Sequence, residues 1–197
     1  MFTLEHSRTA NQIDLGICAA ASVGLAAWLI ISDLRGRLLQ LSALAAMGMV
    51  SWTLIEYGVH RFVLHGVKPF STWHSEHHRR PTALIYSPTI LSVLGIVALI
   101  FVPARLVGGV WRGTAFTFGI VVGNFCYAMT HHAVHHWRAR GTWILRRKRW
   151  HAVHHGTPHR LVLQPGYYGV TTSMWDHVFG SDRRQHNPHG EALDESS

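Results

Sequence analysis

Imidazole is the functional group this chain repeats. Residues 151 to 155 read His-Ala-Val-His-His, residues 74 to 78 read His-Ser-Glu-His-His, and residues 131 to 136 read His-His-Ala-Val-His-His. Positions i, i+3 and i+4 of a helix share one face. His151, His154 and His155 therefore aim three ring nitrogens at one volume, and His74, His77 and His78 do the same. His131 and His135 add a third face through their i, i+4 spacing; His132 and His136 have the same spacing, which does not choose between the two pairs. His60 and His65 stand at i, i+5, which an α-helix does not bring to one face, so a frayed or bent helix end is expected there. Neutral imidazole suits iron, zinc, copper and nickel, whereas a carboxylate-poor site disfavours magnesium and calcium. These histidines are too many for one ion, so two metals are expected. A lone histidine is ordinarily a solvated or core residue, but two His-x-x-His-His motifs in 197 residues are hard to reach by composition alone.

Other polar residues stand close by. Glu56 lies one turn before His60. It is placed to accept the outer ring N–H of a ligating histidine, which fixes tautomer and orientation, or to pair with Arg61 or headgroup water. Asp176 has the same two readings, an outer partner of a ligand or a helix cap and Arg partner. Glu76 points off the ligand face, and the order is not His-Glu-x-x-His, so a zinc-protease reading fails on spacing. His159 is a further candidate donor outside the motifs.

In their order, His60-x4-His65, His74-x2-His77-His78, His131-x3-His135 and His151-x2-His154-His155 resemble the fatty acid hydroxylase and sterol desaturase superfamily of membrane-bound di-metal oxygenases. The run from Gly169 through Met174, Trp175 and Asp176 to Gly180 is similar to the ending of the fatty acid 2-hydroxylase branch. The likeness covers residues 50 to 180. It implies two irons with O₂ as co-substrate, and hydroxylation of a C–H bond of a fatty acyl lipid, with no catalytic residue beyond the metal centre. Zinc cannot change oxidation state, so zinc in a purified sample would be an occupant rather than the working metal. Desaturation of a sterol or lipid would use the same centre, and the ligand motifs do not separate the two outcomes. A metal-dependent lipid hydrolase would need a carboxylate base, for which Glu56 is the candidate. A metal transporter would spread its histidines through the bilayer. Electrons must come from a separate donor, a cytochrome b5, ferredoxin or reductase, because the chain has no Gly-x-Gly-x-x-Gly element, no cysteine set for an iron–sulfur cluster and no expected fused cytochrome b5.

The elements that position these groups follow from composition. The chain is 48% hydrophobic and 14% charged, too few charges for an ordinary soluble domain. Charge-free runs at 15 to 32, 38 to 55, 81 to 104 and 113 to 137 each have about the length that spans the hydrocarbon core. The expectation is an all-α integral membrane bundle of about four helices with a cytoplasmic histidine-rich cap. It forms one domain over 1 to 180, with a polar, disordered tail over 181 to 197. The first run lacks a basic leader and a cleavage site, so it reads as a retained span. With both termini assigned to the cytoplasm, fourteen of the eighteen Lys and Arg fall on that side, in agreement with the positive-inside rule. The same assignment puts all four histidine clusters there. Cys18 and Cys126 lie in different spans and predict no disulfide.

The formal charge of +8 would admit nucleic acid as a partner, but its placement excludes that. Residues 137 to 150 interleave Trp with Arg and Lys, the pattern of a headgroup interface, and the basic face would steer an acidic electron donor. In the linkers, Ser71 or Thr72 is expected to cap the helix of the second cluster, Pro81 to stop it, and Pro103 to mark the exit of the third span. Gly119 and Gly123 either leave room for an acyl chain or allow close helix packing. Residues 161 to 180 are expected to form a loop and short helix over the metal pocket, with Trp175 and Phe179 as packing anchors.

Overall fold

A computed structural model describes residues 5–31, 36–85, 88–138, 140–156 and 166–182. Helix α1 is Arg8–Ile31. Helix α2, Leu38–Gly58, runs into a π-helical turn, Val59–Leu64. Helix α3 is Phe70–Arg79. Helix α4, Thr89–Ile96, passes through a second π-helical turn, Val97–Phe101, into α5, Val102–His136. Helices α6, Thr142–His155, and α7, Met174–Val178, complete the described chain. No strand occurs among the described residues; Glu5 and Ile85 form an isolated bridge that ties the N-terminal arm to the segment before α4.

Among the described residues, three helical stretches are long and apolar enough to cross a membrane: Arg8–Ile31, Leu38–Leu64 and Thr89–His136. The third holds both of the last two expected spans in 48 residues. Straight, it would be about 72 Å long, against a hydrocarbon core of about 30 Å. It is broken at Gly109, whose φ of 76° and ψ of 175° are non-helical and suit a residue without Cβ. The break reverses the chain: a Cβ on Gly113 would lie 2.7 Å from the backbone nitrogen of Arg105, whereas residues eight apart in an unbroken helix are separated by about 12 Å. The expected loop between the spans is thus a one-residue hinge between a first arm, 89–108, and a returning arm, 110–136.

Pro103 does not end the third span as expected. The Val102 N–H bonds back to Val97 O, five residues earlier, and this widened turn carries the helix past the residue that lacks a donor. Neither Ser71 nor Thr72 caps α3. That helix starts after Pro69 with no side-chain cap, and both residues lie inside it.

Helices α2 and α5 form the main seam. An added Cβ on Gly48 would sit 2.1 Å from Phe116 O, and one on Gly119 would sit 1.9 Å from Ala45 O, so these glycines let two backbones touch. Close packing, rather than room for an acyl chain, is the role of Gly119. Leu29, Leu41 and Ala115 close a small core at one end. Elsewhere large apolar side chains face outward, Val107 at 91% and Leu39 at 85% exposure. Outward apolar faces on spans of this length make the chain an integral membrane protein. Four antiparallel arms return the histidine-bearing ends of α2 and α5 to the same end of the bundle, where α3, α6 and α7 cap it.

Candidate metal centre

Each histidine motif reaches the centre through a different local device. The i, i+5 pair is served by the π turn: i→i+5 bonding widens the helix, and the rings of His60 and His65 lie 5.3 Å apart. The end expected to fray is instead a regular turn of another period. His74, His77 and His78 share a face of α3, and His151, His154 and His155 a face of α6. Gly156, at φ 73°, ends that helix directly after its last ligand candidate.

The ring nitrogens gather into two groups. His60, His65, His74, His78 and His154 form one; His77, His131, His135, His151 and His155 form the other; within each group the donor atoms lie within 4.8 Å of one another. The motifs are interleaved, since α3 and α6 each divide their three histidines between the groups. His132 and His136 stay outside both, with their rings paired 4.6 Å apart and the Asn11 amide 3.5 Å from His132 Nδ1. His159 lies outside the described residues, as does the tail from 183.

The donor chemistry fits a cation. His60 Nδ1 donates to Tyr168 O at 2.5 Å, and His154 Nδ1 donates to Gly166 O at 2.7 Å. Each ring then presents an unprotonated Nε2 inward. His60 Nε2 faces His74 Nε2 at 3.0 Å and His154 Nε2 faces His65 Nε2 at 3.1 Å. In the second group His151 Nε2 lies 2.7 Å from His135 Nε2 and 3.0 Å from His155 Nε2. Nitrogens gathered this closely, with the outer positions of two rings already protonated, present inward lone pairs that a bound cation can use.

Burial holds these rings neutral. It pushes His65 down to about 4, and with neighbouring imidazoles it pushes His78 and His155 down to about 3. His74, His151 and His154 are shifted well down by burial and then by other histidines. In an unfolded chain these rings protonate near 6.5. Between that pH and about 4 the unfolded state binds protons that the folded state refuses, so stability falls as pH falls through the window. Metal-free protein is expected to melt about 4 °C or more lower at pH 5 than at pH 7.5; equal melting temperatures would show that the rings are not shielded.

Among the described residues, Glu56 and Asp176 accept hydrogen bonds from backbone N–H groups and hydroxyls and not from a ligand candidate. Glu56, 4% exposed, accepts from Val170 N at 2.6 Å, Thr171 N at 2.9 Å and the Thr171 hydroxyl. Asp176, fully buried, accepts from Tyr168 N at 2.8 Å, Gly169 N at 2.9 Å and Ser181 Oγ at 2.7 Å. Both act at one remove, by fixing the segment 166–171 whose carbonyls hold His60 and His154. Phe179 stacks on Tyr57 at 5.3 Å and Trp175 donates to Thr53 at 2.9 Å, so α7 is anchored by the two aromatics expected to do so.

A family model for fatty acid hydroxylase matches residues 45–181. The chain belongs to the fatty acid hydroxylase family. Within this family it is 30% identical over 158 residues to a dihydroceramide fatty acyl 2-hydroxylase of Arabidopsis thaliana, covering 72% of this chain and 61% of that one. It is 28% identical over 157 residues to a ceramide very long chain fatty acid hydroxylase of Schizosaccharomyces pombe, covering 73% and 43%. It is 31% identical over 150 residues to fatty acid 2-hydroxylase of Rattus norvegicus, covering 69% and 38%. The chain thus spans about two to three fifths of the length of these relatives. In fold it is similar to the visible hydroxylase domain of full-length scs7p, with a TM-score of 0.66 at 23% identity over 85% of this chain and 66% of that one.

The histidine motifs are the visible signature in the sequence; their supports are less so. Arg147 was expected among the interfacial basic residues, yet it is 7% exposed and its guanidinium lies 4.0 Å above the Trp150 ring. Burial pushes its pKa down while Glu56 and Asp176 pull it back up. The signal was present: Arg147 stands four and seven residues before His151 and His154, on their face of α6. Tyr127, one turn before His131, stacks on that ring at 5.7 Å and carried no sequence signal beyond its spacing.

Proposed function

We propose that this chain is an O₂-dependent, two-iron hydroxylase of a fatty acyl chain carried by a neutral membrane lipid, supplied with electrons by a separate acidic donor protein. His60, His65, His74, His78 and His154 would hold one iron, and His77, His131, His135, His151 and His155 the other. When bound, the irons supply activation of O₂ and insertion of one oxygen atom into a C–H bond. The reading is carried by a cavity of about 460 Å³ that reaches both groups, lined by His60 and His74 from one and His77 and His131 from the other. Its far end is apolar, with Ile100 and Ile120. Ile120 precedes His131 by eleven residues, about 16 Å along the helix, the reach of an acyl chain rather than of a compact solute.

The residues divide the work. Tyr168 O and Gly166 O keep His60 and His154 in the tautomer that offers Nε2. Apolar walls exclude water and align the chain so that its carboxyl end lies beside the histidines. The described lining holds Asp14 and Glu56 but no Lys or Arg, so the protein itself offers no cation to a free carboxylate and only the irons would meet its charge, whereas an amide or ester needs none. The names of the ceramide and dihydroceramide hydroxylases among the relatives agree with this class. The histidine end and both termini are assigned to the cytoplasm, and exposed Arg146 and Arg149 on α6 face the side from which a donor would approach. Residues 1–180 form one hydroxylase unit with a polar tail.

Anaerobic purification with metal analysis, followed by reductant and ¹⁸O₂ and lipid mass measurement, tests this. Two irons per chain and a lipid gaining one labelled oxygen are expected. Loss of two hydrogens would make it a desaturase, and turnover without O₂ would return the hydrolase reading. Ile100→Phe, which fills the apolar end, is expected to shift the product distribution toward shorter acyl chains by several-fold at unchanged metal content; an unchanged distribution would place the chain elsewhere.

A further inference from the structure

The two histidine groups are supported differently. In the group of His60, His65, His74, His78 and His154, two rings have their outer nitrogens tied to backbone carbonyls of one segment, 166–168. Residues 166–171 are fixed by five hydrogen bonds to two buried carboxylates, four of them from consecutive backbone N–H groups, Tyr168 to Thr171, and the fifth from the Thr171 hydroxyl. The turn leaves no room for a side chain at Gly169, where a Cβ would lie 1.9 Å from Thr172 O and 2.9 Å from Asp176 Oδ2. In the other group His155 Nδ1 makes no hydrogen bond within 3.5 Å among the described residues and has the backbone of His78 near it at longer range. A ring tied through its outer nitrogen loses no rotational freedom and no tautomer choice on metal binding; an untied ring loses both.

We infer that the two metal positions are unequal: segment 166–171, gripped by Asp176 and Glu56, preorganises the position of His60, His65, His74, His78 and His154, which takes its metal first and holds it more tightly. Asp176 is a positioning residue, acting on His60 and His154 through the backbone of Tyr168 and Gly169. Arg147, buried beside both carboxylates on the helix that carries His154, balances their charge. The inference rests on the di-metal reading above but not on the reaction, because a redox-inert ion reports it.

The test is zinc titration of metal-free full-length protein against a chelator, with ions counted per chain. The wild type is expected to fill in two steps. His65→Ala and His135→Ala, one from each group, identify the steps. Asp176→Asn keeps shape but turns an amide N–H toward a backbone N–H, and is expected to weaken the tighter step about 10–100-fold while the other changes less than about threefold. Thr171→Val removes one hydroxyl donor to Glu56 and is expected to weaken the same step in a fold left intact. His132→Ala, outside both groups, is expected to move neither step. Two zinc ions of one affinity, or equal weakening of both steps in Asp176→Asn and Thr171→Val, would overturn the inequality alone. Fewer than two ions in the wild type would overturn the di-metal reading together with it.

Discussion

Alanine at His151 is expected to strip the second metal position and abolish turnover. His151 is 5% exposed and its Nε2 lies between His135 and His155, so its removal takes a central donor and leaves a buried void lined by two remaining lone pairs. Loss of an outer partner of a ligand typically reduces metal affinity about 10–100-fold; loss of the ligand itself is expected to exceed that and to bring activity below about 1% of wild type. Metal counting on the purified variant and lipid mass analysis check both parts. His132→Ala, on the outer face of α5 beside Asn11, is expected to retain both ions. Full metal content and turnover in His151→Ala would overturn the ligand assignment, and loss of metal in His132→Ala would reverse the choice between the two pairs of the third cluster.

Valine at Gly119 is expected to prevent assembly of the bundle. Its Cβ would lie 1.9 Å from Ala45 O and 2.8 Å from Met49 N; both are backbone atoms of α2, so relief requires the helices to separate. Overpacking in ordinary cores costs about 1–3 kcal/mol, and a clash of backbone against backbone leaves no side chain to rotate away. In lipid the seam has no hydrophobic drive to compensate, since association there depends on close packing of small residues. Size-exclusion chromatography in detergent is expected to show the variant aggregated or absent. Gly24→Ala on α1, where an added Cβ meets nothing within 4 Å, is expected to be neutral or to stabilise by up to about 1 kcal/mol, the helix-propensity gain. A monodisperse Gly119→Val protein would mean the seam is looser than its geometry.

What was legible in the sequence was what repeats over one or two turns. His74, His77, His78, His151, His154 and His155 announce a shared face because helical spacing is local, and the charge-free runs announce spans because lipid imposes length. The assignment of each histidine to one group or the other was not legible, since it depends on how α3 and α6 cross. Glu56 and Asp176 stood out as acids near ligands, but their partners are backbone N–H groups of Tyr168 to Thr171, and a backbone donor has no letter of its own. The reversal itself was legible as the break between the runs ending at 104 and beginning at 113; that it takes one residue, Gly109, was not, because arms that both stay helical up to a single positive φ give no run of turn residues. Arg147 was misplaced because a basic run was taken as one surface, although a helix turns each of its residues to a different side.

The π turn that joins α2 to the cap makes residue count, more than residue identity, the fragile quantity in this protein. Val59–Leu64 uses a wider turn to bring an i, i+5 pair together. Deleting one residue between His60 and His65 would restore the i, i+4 spacing that an ordinary helix satisfies, so the pair itself would survive. Everything downstream would then enter α3 rotated by about 100°, the angle of one helical residue, and His74, His77 and His78 would point away from their partners on α5 and α6. Variation in this segment should therefore tolerate changes of side chain far more readily than changes of length.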